Sequence, residues 1–209
     1  MVNLLRTLRT TTVYSAQMYE QLSIFEAAKK KTDQLVSAIL NSISDLNASN
    51  SSNCFERFGE MLSTYGAKGP DAQANEAFKA QRKYFDDIGR IHRVYTTKVE
   101  DQVINPLVSW TKNEYKAMHE EVKKLEKCRS AMDSATVKAR KAAGNAKLEA
   151  ARVDAEKAYE EQMKVVQGKL DLFFNDAHKS HAKILRTFAE LQLHLYEDTS
   201  KKFSVRVAM

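Results

Sequence analysis

Two histidines, His178 and His181, lie three residues apart in a stretch with helical periodicity, so both can share one helix face. That spacing suits a metal. A metal centre inside a helical bundle, however, draws on Glu-x-x-His pairs that project inward. The residues three before His92, His119, His178, His181 and His194 are Gly89, Lys116, Asn175, His178 and Leu191, so no such pair exists. His178 and His181 therefore read as surface or packing residues, and no metal is expected. Cys54 and Cys128 are isolated and far apart, which gives neither a metal-ligand spacing nor a disulfide framework. They fit a reducing, cytoplasmic setting. There is no glycine-rich phosphate loop and no nucleophile motif. No catalytic residue and no cofactor is expected, and the chain does not read as an enzyme.

The residues with chemistry to offer are basic. Residues 134–147 (SATVKARKAAGNAK) hold Lys138, Arg140, Lys141 and Lys147 and no acid. Upstream, Lys123, Lys124, Lys127 and Arg129 add positive charge, partly offset by Glu120, Glu121 and Glu126. Arg6 and Arg9 alternate with Val2, Leu4, Leu5 and Leu8, so residues 1–12 read either as a short amphipathic leader of the kind that lies in a membrane interface or as the first turns of the following helix. Lys29, Lys30 and Lys31 interrupt the following apolar pattern and read as a solvated face. Over 209 residues, 33 basic and 27 acidic side chains give a net charge of +6. That modest excess favours an anionic partner without choosing between phospholipid and nucleic acid.

The elements that carry these charges are long helices. Two prolines and six glycines in the whole chain leave few breaks. From Val13 the apolar residues Met18, Leu22, Phe25, Leu35, Ile39, Ile43 and Leu46 recur at threes, fours and their sums, which predicts a first helix. Residues 47–53 (NASNSSN) stop it. Residues 54–65 carry Phe55, Phe58, Met61, Leu62 and Tyr65 and predict a short amphipathic helix, ended by the breaker around Gly69-Pro70. A second long helix opens near Asn75 and keeps its stripe through Phe78, Phe85, Ile88, Ile91, Tyr95, Val99, Val103 and Leu107, across Pro106. A proline inside a sustained pattern kinks a helix, so Pro106 is the expected kink. Gly144-Asn145 tolerates left-handed backbone and marks a reversal. A third helix then runs from about Ala146 towards Phe203.

Two packed helices cannot hide such broad stripes, so the helices should form a coiled bundle that pairs with a copy of itself. Periodicity nominates Phe25, Leu35, Phe85, Trp110, Phe173, Leu185, Phe188, Leu191 and Leu195 for the core or dimer interface. Between Lys112 and Lys157 the sole aromatic is Tyr115, which predicts thin charged arms on a thick centre. No run reaches the ~20 apolar residues of a membrane span, so any membrane role is peripheral. Val2 and Arg206 stand where a myristoyl glycine and a prenylated cysteine would be, and no lipid anchor is expected.

These features together resemble the BAR domain family: the first helix ending near Asn47, the second bent around Val103-Ile104-Asn105-Pro106-Leu107, the basic tip, and the bulky third helix ending in Phe188-Ala189-Glu190-Leu191-Gln192-Leu193-His194-Leu195-Tyr196. The resemblance covers nearly the whole chain, 1–209, as a single domain with its tip at 133–148. It implies an all-α fold, a long three-helix antiparallel coiled coil that dimerises into a curved six-helix bundle. It further implies binding to anionic phospholipid membranes bearing phosphatidylserine or phosphoinositides, with curvature sensing or generation in membrane trafficking. Lys138, Arg140, Lys141 and Lys147, joined by Lys123, Lys124, Lys127, Arg129, Arg6 and Arg9, would be its membrane contacts. Some crescent dimers of this kind also bind small GTPases, so a protein-binding scaffold without lipid contact is the alternative. Nucleic acid is not expected, because away from the tip acids accompany the bases rather than leaving one massed basic face.

Overall fold

The computed structural model describes residues 12–44, 46, 52–67 and 71–207. The fold is all-α, and among the described residues there is no strand. Among the described residues six α-helices follow one another: α1 (Ala16–Ile43), α2 (Cys54–Gly66), α3 (Ala72–Val99), α4 (Asn105–Trp110), α5 (Lys116–Lys141) and α6 (Ala146–Val207). The leader of residues 1–11, with Arg6 and Arg9, and most of the 47–53 turn lie outside the described residues.

Local chemistry sets the ends. Asn53 caps α2 through a capping box: its Oδ1 accepts from the Phe55 and Glu56 amides, and Glu56 Oε2 accepts from the Asn53 amide at 2.9 Å. Asp71 caps α3 with its side chain alone, accepting from the Gln73 and Ala74 amides. At the α5–α6 reversal Gly144 takes φ +91°, where a side chain is strained, and Asn145 Oδ1 accepts from the Lys147 and Leu148 amides that open α6.

The second helix of the sequence reading runs as α3, α4 and α5 with no break between Ala72 and Lys141. At Pro106 the ladder widens: Glu100–Ile104 is a π-helical turn, and the Asn105 amide bonds back to the Glu100 carbonyl. Proline lacks an amide proton and its ring crowds the carbonyl four residues back, and an extra residue in the turn relieves that crowding. A second π turn, Thr111–Tyr115, follows α4.

The chain divides into two compact units, and α1 and α6 contribute to both. One holds residues 12–31 and Trp110–His178. Its core joins Tyr14, Met18, Leu22 and Phe25 to Met118, Val122 and Leu125 of α5 and to Val166 and Leu170 of α6. Phe25 is fully buried, stacked on Tyr115 at 4.6 Å and edge-on to Phe173 at 5.4 Å, and Trp110 reaches the same Phe173.

The other unit holds Thr32–Ser109 and residues 179–207. Its core joins Ile39 and Ile43 of α1, Tyr95, Val99, Val103, Ile104 and Leu107, and Ile184, Leu191 and Leu195 of α6. Leu35 and Phe188 are half-buried against it. Leu185, nominated for the core or dimer interface, is 40 % exposed, because its neighbour Ile184 takes the inward position on the α6 face.

Within this second unit α2 lies close against α3. Asn53 Nδ2 donates to the buried Gly89 carbonyl at 2.9 Å, and Arg93 forks onto both oxygens of Glu56. Phe55 stacks on His92 at 4.5 Å, where burial pushes the imidazole pKa down. Glycine permits this approach: a Cβ on Gly89 would sit 2.4 Å from Glu56 Cγ.

Candidate functional site

Lys138, Arg140 and Lys141 lie in the last turn of α5, where their charge complements the helix's partial negative end. Lys147 follows in the first turn of α6. All four side chains are exposed, and among the described residues no carboxylate pairs with them. The acid following the turn, Glu149, is already taken: Arg152 holds it at 2.7 Å and reaches Glu156 at 2.7 Å. The tip's four positive charges are thus unmatched among the described residues. Around Gly144 the space is open, with no atom beyond its chain neighbours within 4 Å of where a Cβ would stand.

The rest of α5 is different. Lys123 pairs with Glu120 at 2.9 Å and Lys124 with Glu121 at 3.3 Å. Glu121 is also bound by Lys169 at 3.0 Å and by Gln162, and these partners, Lys169 foremost, hold its carboxyl down at about 2. Lys127 is exposed. Most of the positive charge on this stretch is therefore matched within the protein.

Arg129 departs from the expectation that it faces lipid. It is 8 % exposed, donates to Glu126 at 2.7 Å, and sets its guanidinium 4.5 Å over the Tyr14 ring. The Tyr14 hydroxyl donates to the other Glu126 oxygen at 2.6 Å, and Thr12 donates to the buried Asp133 at 2.6 Å. Burial, then the hydrogen bond to Glu126, pushes the Tyr14 phenol up. This network fastens the residues leading into α1 onto α5, and within it the Arg129 Nε is buried without a hydrogen-bond partner among the described residues. Sequence reasoning missed it, although a signal was present. Met118, Val122, Leu125, Arg129 and Asp133 follow one another at steps of four, three, four and four, so Arg129 and Asp133 continue the inward stripe.

His178 is exposed, and His181 Nε2 lies 3.3 Å from Thr32 Oγ1. Among the described residues no group of three potential metal ligands is assembled, and no helix is long and apolar enough to cross a membrane.

A family model described as the BAR domain matches residues 9–204. Among solved structures, the N-terminal I-BAR domain of D. discoideum IBARa matches at 18 % identity and a TM-score of 0.42, covering 90 % of this chain and 79 % of that one. No curated protein matches.

Proposed function

The chain belongs to the BAR domain family, and from that premise we propose that it binds anionic phospholipid bilayers through its α5–α6 tip, as a homodimer that senses or generates curvature during membrane trafficking. The family as a whole dimerises and acts in membrane curvature sensing and remodelling. One observation supports assigning the contact to this tip: Lys138, Arg140, Lys141 and Lys147 stand exposed and unmatched while the acids beside them are engaged.

The mechanism is electrostatic and geometric. A basic side chain near an anionic leaflet contributes about 1 kcal/mol, so four give roughly 4 kcal/mol, which alone is only millimolar binding. A dimer presents two tips, and engaging both raises the affinity by avidity. A rigid spacing between them then favours bilayers whose curvature lets both touch. Lys127 adds to this field, as Lys123 and Lys124 do more weakly through their paired state. Pro106, with the π turn before it, is the proposed place where the second helix takes its curvature. The association is peripheral, in keeping with a cytoplasmic protein.

The test is co-sedimentation with vesicles containing phosphatidylserine or phosphoinositides, alongside neutral vesicles and duplex DNA, with tubulation read by electron microscopy. Binding to anionic vesicles that weakens with salt, and tubules or a preference for small vesicles, is the expected result. Equal binding to neutral vesicles, or preference for DNA, would contradict the reading.

A further inference from the structure

At the seam between α2 and α3 a titratable ring is sealed in, the imidazole of His92, 8 % exposed. Phe55 of α2 lies over it, the two rings 4.5 Å apart and 18° from parallel. Its Nδ1 is buried and has no hydrogen-bond partner among the described residues. In a neutral imidazole one nitrogen carries the proton and the other only accepts, so a sheltered Nδ1 can stay a bare acceptor. A protonated ring donates from both nitrogens. Its Nδ1 proton would then meet no acceptor while its charge lay out of water. The site suits the neutral ring, and burial lowers its pKa from the ordinary 6.5.

Among the described residues no charge offsets this, and burial is the cause of the shift. On α2 the charged groups are Glu56, Arg57 and Glu60. Glu56 is held by Arg93, whose Nε lies 2.8 Å away, and by the Asn53 amide. Arg57 and Glu60 are exposed. On α3 Arg90 pairs with Asp87 and Arg82 with Asp86, and from α6 Lys202 reaches Asp87. Residues 34–43 of α1 carry no charge.

The ring also sits where α2 is fastened. Asn53, Phe55 and Glu56 of its capped start meet Gly89, His92 and Arg93 of α3. A helix of 13 residues is marginal by itself, so α2 depends on this hold. We propose that His92 makes the seat of α2 acid-sensitive: when the ring takes up a proton, Phe55 and the capped first turn leave α3, and α2 opens while α5 and α6 stay folded.

The pH window follows from the signs. A group whose folded pKa lies below its unfolded value supports docking above the unfolded value, and that support fades as pH falls below about 6.5. Arg93's hydrogen bonds, foremost, hold the Glu56 carboxyl below its ordinary 4.5, so its contribution persists until pH falls below about 4.5. Between the two values the change belongs to His92.

The experiment is hydrogen–deuterium exchange of the full chain at about pH 7.5 and about pH 5.5, either side of the ordinary imidazole value and corrected for the intrinsic pH dependence of exchange. It compares the wild type with His92→Phe, and the wild-type His92 ring is titrated by NMR. The ring should titrate below 6.5. Amides of residues 56–66 should exchange faster at the lower pH, by about tenfold for each unit of lowered pKa, with α5 and α6 unchanged. His92→Phe, which keeps a ring against Phe55 and cannot take a proton, should show no such acceleration. A ring titrating at or above 6.5, α2 exchange indifferent to pH, equal acceleration in His92→Phe, or acceleration shared by α5 and α6 overturns the proposal. Should His92→Phe lose helix content, the ring titration and the wild-type exchange decide by themselves.

Discussion

Arg129 and the tip lysines look alike as letters in a basic stretch, and burial separates them. Removing Arg129 leaves Glu126, hydrogen-bonded by Tyr14, without its counter-charge in a largely buried site. Breaking a buried pair costs several kcal/mol, so Arg129→Ala should lower stability by about 3 kcal/mol in a denaturant titration. Lys127→Ala, on exposed surface, should stay within about 0.5 kcal/mol of wild type. A fall of the same size in both would remove the distinction. Glu121 makes a pH test. Its folded pKa, about 2, lies below its ordinary 4.5. A depressed carboxyl stabilises the fold above the unfolded pKa, and that contribution is lost as pH falls through the folded one. The wild-type melting temperature should therefore drop more steeply between pH 4.5 and about 2 than that of Glu121→Gln. The difference should be worth no more than about 1 kcal/mol, since the partners are partly solvated. At this scale the sequence made the free tip legible, because four bases without an acid need no tertiary knowledge. The Arg129 network was not legible, since a charge on an apolar stripe reads as a break until Tyr14 and Thr12 are brought to it from more than a hundred residues away.

Elements followed from periodicity and capping more readily than their contacts did. The apolar repeats predicted α1, the α3-to-α5 run and α6, and the Phe55-to-Tyr65 pattern predicted α2. Pro106 was read as a kink; the local finding is a π turn that absorbs its missing amide, a ladder adjustment that residue types alone do not reveal. How α2 is held was equally hidden, because Asn53, Glu56, Gly89 and Arg93 meet only in three dimensions. Glycines give a paired test of that seat. Gly168 sits in α6 with nothing within 4 Å of a prospective Cβ, so Gly168→Ala should stabilise by up to about 1 kcal/mol through helix propensity. Gly89→Ala gains the same propensity but drives a Cβ to 2.4 Å from Glu56 Cγ, a stem fixed by Asn53 and Arg93. Overpacking typically costs 1–3 kcal/mol, so the clash should win by about 1 kcal/mol or more. Thermal melts of the two variants check this: opposite signs are expected, and a stabilised Gly89→Ala would mean that α2 is seated loosely.

For the molecule as a whole, the all-α BAR fold was legible because long uninterrupted stripes, few breakers and a charge-free-of-acid tip are properties of the linear chain. The division into two compact units was not, since α1 and α6 run through residues 31–32 and 178–179 as unbroken helices and the Lys29–Lys31 interruption of the α1 stripe reads as a solvated face. In the proposed function what counts at this scale is where uncompensated charge is presented, and among the described residues the tip gathers four such bases. The most direct measurement is co-sedimentation with phosphatidylserine-containing vesicles of the wild type and of Lys138→Glu/Arg140→Glu/Lys141→Glu/Lys147→Glu, both checked for equal helix content and equal self-association. The side chains are exposed and unpaired among the described residues, so the fold should be untouched. Replacing about 4 kcal/mol of attraction per tip by repulsion should abolish vesicle binding at physiological salt. Undiminished binding by the variant would contradict the assignment of the tip as the membrane contact.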